Sequence, residues 1–196
     1  MIKKSPTQSR KPDGRRPPKP ATASRLHNIA LHYLERYSAS SESLRRVLMR
    51  RVAKSAYYLD TDPAEGAEHV NAIITRFLQS GLLNDKIYAE GQVLSLFRRG
   101  LSLRAIHSRL LAKGVDNGII EQQLSALKDA TPNPDLNAAF AFAKRRRLGP
   151  FGDPAKRQDR RQRDLASLAR GGFDYATAHA VIDAVDIFEL EALLKP

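Results

Sequence analysis

Between residues 84 and 127 the chain spells out three amphipathic helices in succession, each too short to stand alone. This stretch restricts the fold more than any other. Asn84-Asp85 offers a helix N-cap. Ala89, Val93, Leu96 and Phe97 then recur at helical spacing, with Lys86, Glu90, Gln92 and Arg99 on the other faces. Gly100-Leu101-Ser102 ends that helix and caps the next, whose apolar stripe is Leu103, Ile106, Leu110 and Leu111. Lys113-Gly114 stops the second helix with a cation and a glycine. Asp116 caps a third, carrying Ile120, Leu124 and Leu127. Isolated helices of this length are marginal in water, so the three are expected to pack as one small unit.

The same grammar runs through the rest of the chain. Residues 25–54 read as two helices, lined by Leu26, Ile29, Ala30, Tyr33 and Leu34, then by Leu44, Val47, Leu48 and Val52. The polar stretch 38–43 separates them and supplies several caps. Residues 57–66 read as a connector broken at Asp62-Pro63. Residues 68–80 form a third helix, with Val70, Ile73, Ile74, Phe77 and Leu78 apolar, ended by Gly81. After residues 131–134, Asp135 is expected to cap a helix bearing Leu136, Ala139, Phe140 and Ala143. Residues 148–154 hold two glycines and two prolines and read as a loop. Residues 156–170 predict a basic helix with Leu165 and Leu168 on its inner side, stopped by Gly171-Gly172. Asp174 caps a last helix with Ala178, Ile182 and Val185, and residues 187–194 add a turn or two.

These segments echo one another. Ala30 precedes Leu44 by 14 residues, and Ala89 precedes Leu103 by 14. A shift of 58 lays Gly114-Val115 on Gly172-Phe173, Leu110 on Leu168, Leu124 on Ile182 and Leu127 on Val185. The pattern is that of a degenerate three-helix repeat used three times. The expected fold is all-α: an elongated, curved array of three tandem three-helix repeats, with contacts mainly between neighbours. Its expected parts are a disordered basic tail (1–24), repeat 1 (25–83), repeat 2 (84–130) and repeat 3 (131–196).

Charge is placed in blocks. The chain carries +12 overall. Residues 1–25 hold 8 Lys/Arg against 1 acid, and residues 144–163 hold 9 against 2, while the remainder is close to neutral. Such blocks suit a polyanion or an acidic protein groove, or serve only to solubilise. With no cysteine, disulfides, thiolate metal sites and cysteine nucleophiles are excluded. No apolar run reaches membrane-spanning length, and the basic N-terminus lacks the apolar core of a secretory signal. A cytoplasmic monomer is expected.

Catalytic constellations are missing from the text. No glycine-rich phosphate loop follows a strand pattern. The histidines (His27, His32, His69, His107 and His179) are dispersed, and His107, between Leu103 and Leu111, reads as a satisfied core or half-buried residue of the apolar stripe. Asp60 and Asp62 fit turn chemistry better than a calcium loop. No enzyme activity, cofactor or metal is expected. No β-strand platform studded with aromatics for binding single strands is visible.

The basic residues form the better candidate site. Arg45, Arg46, Arg50 and Arg51 lie on one helix of the first unit. Arg98, Arg99, Arg104, Arg109 and Lys113 lie in the second. Lys144, Arg145, Arg146 and Arg147 lie in the third, followed by Arg157, Arg160 and Arg161. With units stacked in register, these would line one partner-binding face, since arginine suits carboxylate and phosphate forks.

Several ordered segments resemble the RecX family of bacterial RecA regulators. They are Ala30, Tyr33-Leu34 and Arg36; Ser40-Ser41-Glu42-Ser43-Leu44-Arg45-Arg46; Gly81-Leu82-Leu83-Asn84-Asp85 with Tyr88-Ala89; and Gly100, Ile106, Leu110 and Lys113-Gly114-Val115. Further on come Ala139, Ala143, Arg146, and Leu165 with Leu168-Ala169-Arg170-Gly171-Gly172-Phe173. The resemblance spans about residues 26–186, and the central Gly-Leu-Leu-Asn-Asp segment is its strongest piece. It implies three tandem three-helix repeats in a curved molecule without catalysis. It implies binding in the groove of the RecA filament on DNA, with inhibition of strand exchange and ATP hydrolysis. It supplies no catalytic set to transfer. The basic tail, the long connector 57–66 and the basic segment 148–163 depart from the family pattern, and the tail adds a route to direct DNA contact.

Overall fold

A computed structural model of the chain describes residues 19–194. Most of the expected tail, residues 1–18, therefore lies outside the described residues. The described residues form ten α-helices and two short 3₁₀ turns, with no strand among them.

The first three helices are α1 (Ala23–Leu34), α2 (Ser41–Leu59) and α3 (Pro63–Gln79). Their apolar faces meet in one core, where Leu26, Leu44, Leu48 and Val70 are fully enclosed. Next come α4 (Asp85–Arg98), α5 (Leu103–Ala112) and α6 (Asn117–Ala130). These share a second core around Ala89, Val93, Ile106, Leu110 and Ile120. A third core, around Ala139, Ala143, Leu168, Val181 and Ile182, joins α7 (Pro134–Arg146), α8 (Arg157–Arg170) and α9 (Tyr175–Asp183). The short α10 (Ile187–Leu193) adds Leu190 to that core. Enclosing each such leucine, valine or isoleucine contributes about 1.5–3 kcal/mol. Phe97, at the end of α4, packs against both the second and the third core.

Caps place most helix starts where the sequence puts them. The side chains of Ser40, Asn84, Ser102, Asp116 and Asp174 accept hydrogen bonds from the first turns of α2, α4, α5, α6 and α9. Several expectations need correction. Residues 57–66 are no connector: α2 continues to Leu59, Asp60 takes the left-handed conformation at φ 53°, and α3 begins at Pro63 capped by Asp62. Proline suits the first helical turn, so Asp62-Pro63 starts a helix where it was read as only breaking one. The tail reaches less far than residue 24, because Thr22 caps α1.

Asp135 does not cap α7. Asn133 occupies that position without a side-chain bond, Pro134 opens the helix, and the Asp135 carboxylate turns elsewhere. Leu111 and Val185, read as core, are 51% and 77% exposed. Leu111 lies on the outer edge of the α5 stripe, and Val185 falls in the non-helical link after α9. The residues 148–154 turn through two 3₁₀ segments, Gly149–Phe151 and Pro154–Lys156. Asp164, buried on α8, holds this turn by accepting from the Gly149 N–H at 3.0 Å.

Candidate partner-binding face

The basic side chains are arranged by two joints between successive cores. Helix α5 ends with Gly114 at φ 74°, and α8 ends with Gly172 at φ 88°. At both ends the N–H of the following residue returns to a carbonyl five residues back, Val115 to Leu110 at 3.2 Å and Phe173 to Leu168 at 3.3 Å. Val115 and Phe173 are buried, so each end is fixed by an apolar contact as well as a hydrogen bond. This is the physical content of the 58-residue shift.

Each helix end then receives a serine from the preceding core. Ser40 Oγ donates to the Lys113 carbonyl at 2.6 Å and accepts from the Ser43 N–H at 3.1 Å. Ser102 Oγ donates to the Gly171 carbonyl at 2.8 Å and accepts from the Ala105 N–H at 3.2 Å. One hydroxyl thus closes the start of one helix and the end of another, using both its donor and acceptor capacity. A carboxylate completes each joint. Asp85 accepts from the Ser41 N–H at 2.7 Å and the Ser41 hydroxyl at 2.6 Å. Asp135 accepts from the Leu103 N–H at 2.8 Å. Negative charge at these helix starts is favoured by the backbone dipoles. Sequence reading missed both carboxylate roles, because partners 44 and 32 residues away leave no local signal.

The two joints also draw basic side chains together. At the first, Arg46 donates to the Ala112 carbonyl at 2.8 Å, which brings it to the end of α5, where Arg109 and Lys113 are exposed. Arg45 and Arg46 both pair with Glu42, at 3.4 and 3.0 Å, and Arg45 also donates to Asn71. At the second joint, Arg145 donates to the Arg99 carbonyl, so the end of α4 with Arg98 and Arg99 meets the end of α7. The Arg146 guanidinium lies 4.6 Å from the Phe142 ring centroid, and Lys144 lies 5.9 Å from that of Phe140. These rings hold the cations by their negative faces.

The chain is 38% identical to the regulatory protein RecX of Myxococcus xanthus over 177 residues, covering 89% of this chain and 93% of that protein. The chain belongs to the RecX family. No protein-family model matches it. The regulatory protein RecX of Agrobacterium fabrum is 29% identical over 86% of each chain. The crystal structure of RecX from Lactobacillus salivarius shares the fold, with a TM-score of 0.56, 21% identity, and coverage of 87% of this chain and 97% of that one. The segments that carry the RecX resemblance, around Ser40, Asp85, Gly114 and Gly172, are the ones that build the joints.

The remaining expected site residues divide into outward and inward groups in this RecX-family chain. Arg50, Arg98, Arg99, Arg104, Arg109, Lys113 and Arg147 are exposed, and Arg160 is half-buried. Arg157 instead closes the end of α9, donating to the carbonyls of Ile182 at 3.0 Å, Val185 at 2.8 Å, and Ala184. Arg161 forms a fork on Asp183, with both bonds at 2.7 Å, and that carboxylate also contacts His179 at 2.9 Å. The Arg161 hydrogen bonds hold the Asp183 carboxyl below its ordinary value, aided by His179. Burial, with Tyr33 and Asp85 nearby, raises the Tyr88 phenol. His107 is half-buried and contacts Asn117 at 2.9 Å and Glu121 at 3.2 Å. Among the described residues no cluster of three or more His, Asp or Glu could hold a metal ion, and no helix is long and apolar enough to cross a membrane.

Proposed function

We propose that the chain is a cytoplasmic, non-catalytic regulator that docks in the groove of the RecA filament on DNA and restrains strand exchange and ATP hydrolysis. Membership of the RecX family carries this reading. The three cores are read as successive repeats, 25–83, 84–130 and 131–196, set end to end in a curved monomer. Their equivalent joints support this, because one geometry applied twice generates a progressive array. The docking face is formed by the outward cations, chiefly Arg50, Arg98, Arg99, Arg104, Arg109, Lys113, Lys144, Arg146 and Arg147. Arg157 and Arg161 act inside the third repeat, where they fix α8 against α9.

Co-sedimentation with RecA on single-stranded DNA, with and without nucleotide, tests the proposal. The chain should pellet with assembled filaments, and strand exchange should fall at substoichiometric amounts. Unchanged strand exchange at equimolar protein would end this reading. A second reading, direct DNA binding, is favoured by the basic blocks at residues 1–25 and 144–163. It predicts a log–log salt slope of about −0.9 per neutralised phosphate on duplex.

A further inference from the structure

We propose that the outer side of α1 and α2 is a binding track for single-stranded nucleic acid, with bases stacked on tyrosines and phosphates held by arginines and a lysine. The track exists because α2 is longer than its sequence pattern predicts. Carried on to Leu59, the helix brings Arg50, Arg51, Lys54, Tyr57 and Tyr58 onto one exposed stripe at helical spacing. Arg51 and Tyr58 stand two turns apart, about 10 Å along the axis. No acid lies on the stripe; Asp60 and Asp62 follow the end of the helix.

Arg51 also borders a hollow of about 580 Å³ between α1 and α2. Arg25, Arg36, Tyr33 and Tyr37 line the same hollow. The Tyr33 and Tyr37 rings lie 5.1 Å apart at 40°, and Tyr37 is 57% exposed. Tyr57 and Tyr58 meet edge to face at 4.9 Å and are 78% and 52% exposed. Arg25, Arg36 and Arg51 form no ion pair with another described residue; no acid lines the hollow, and Glu35, which follows α1, pairs with His32 at 3.4 Å. Exposed rings cost water contact and contribute nothing to the core, whereas a base supplies the missing face. Interleaved rings and cations are what an unpaired strand requires, because its bases are free to stack. A duplex keeps its bases stacked inside and would meet only the cations.

The proposal deepens the direct-DNA reading and is independent of docking on a filament, so its test contains no RecA. The chain has no tryptophan and 6 tyrosines, of which four lie on this surface. Intrinsic tyrosine fluorescence of the full chain therefore reports the track directly. Titration with oligothymidylate should quench it, and labelled oligothymidylate should show binding by anisotropy. Joint replacement Tyr57→Leu and Tyr58→Leu should lower single-strand affinity by about tenfold for each ring that carries a base. The Tyr57→Phe, Tyr58→Phe pair should restore it, and duplex binding should stay unchanged in both. Helicity by circular dichroism controls for folding, which these exposed positions do not govern. An unchanged single-strand affinity in the leucine pair would overturn the proposal. So would equal loss of duplex binding in that pair, or the same quench from polyphosphate or polyglutamate, which would reassign the surface to charge alone or to an acidic protein.

Discussion

Ser40 reaches across 73 residues of sequence to place its hydroxyl 2.6 Å from the carbonyl oxygen of Lys113. Ser102 stands in the same relation to Gly171, 69 residues on, at 2.8 Å. Both serines are fully buried. Replacing either by alanine removes an N-cap and takes the short hydroxyl bond from a carbonyl; Lys113 then keeps only the Ser43 hydroxyl, at 3.4 Å. Ser40→Ala and Ser102→Ala should each lower stability by about 2–4 kcal/mol, from a cap of about 1 kcal/mol and a weakened or unpaired acceptor of about 1–3 kcal/mol. Urea denaturation checks this through a lower midpoint. A change below about 0.5 kcal/mol, ordinary for surface positions, would deny the joints a structural role.

Gly81 and Gly172 share a positive φ, 75° and 88°, yet differ in surroundings. A Cβ on Gly81 meets nothing within 4 Å, whereas one on Gly172 falls 2.6 Å from Ser102 Oγ. Gly81→Ala should cost only the left-handed conformation, about 1–2 kcal/mol. Gly172→Ala should cost clearly more, because it also displaces the serine of the second joint. Equal melting temperatures for the two variants would contradict this account.

Reversing Arg98, Arg99 and Arg104 to glutamate together tests the docking face. All three side chains are exposed. The Arg145 bond at this place goes to the backbone carbonyl of Arg99, which the replacement leaves in position. Helicity and melting should therefore persist while association with RecA filaments weakens. Full inhibition of strand exchange by the triple variant would exclude these residues from the face.

The Arg161–Asp183 fork predicts an acid-side effect. Its hydrogen bonds hold the Asp183 carboxyl below its ordinary value of 3.8. The folded state thus keeps the carboxylate charged more readily than the unfolded chain does. The stability from this pair is present above pH 3.8 and is lost as pH falls below it. Asp183 is 39% exposed, so the effect is modest and screened by salt. Arg161→Gln should flatten the acid limb of the stability curve and leave its neutral-to-alkaline limb in shape. An unaltered acid limb would show that the fork does not couple to folding.

Local features of the fold were legible in the sequence, and long-range ones were not. Ser40, Asn84, Ser102, Asp116 and Asp174 cap helices within three residues of themselves, so their type and position sufficed. The stripes through Leu44, Ile106 and Leu168 followed from helical spacing. Asp135 misled because its local cap pattern lost to a distant N–H, that of Leu103. Asp62-Pro63 misled because the pair both ends and begins helices, which hid the last turn of α2 and with it the stripe of tyrosines. The candidate face was read from charge alone. Charge does not reveal that Arg157 and Arg161 are claimed by α9.

The joint chemistry is confined to the two seams between neighbouring cores. Lys156 precedes α8 without a side-chain cap, where Ser40 and Ser102 cap α2 and α5. Arg157, beside it, covers the carbonyls at the end of α9. Likewise the first turn of α1 carries no acid to match Asp85 or Asp135. Among the described residues the pairing of a buried serine with a carboxylate therefore belongs to the two internal seams, and a change to either seam leaves the outer helix starts untouched.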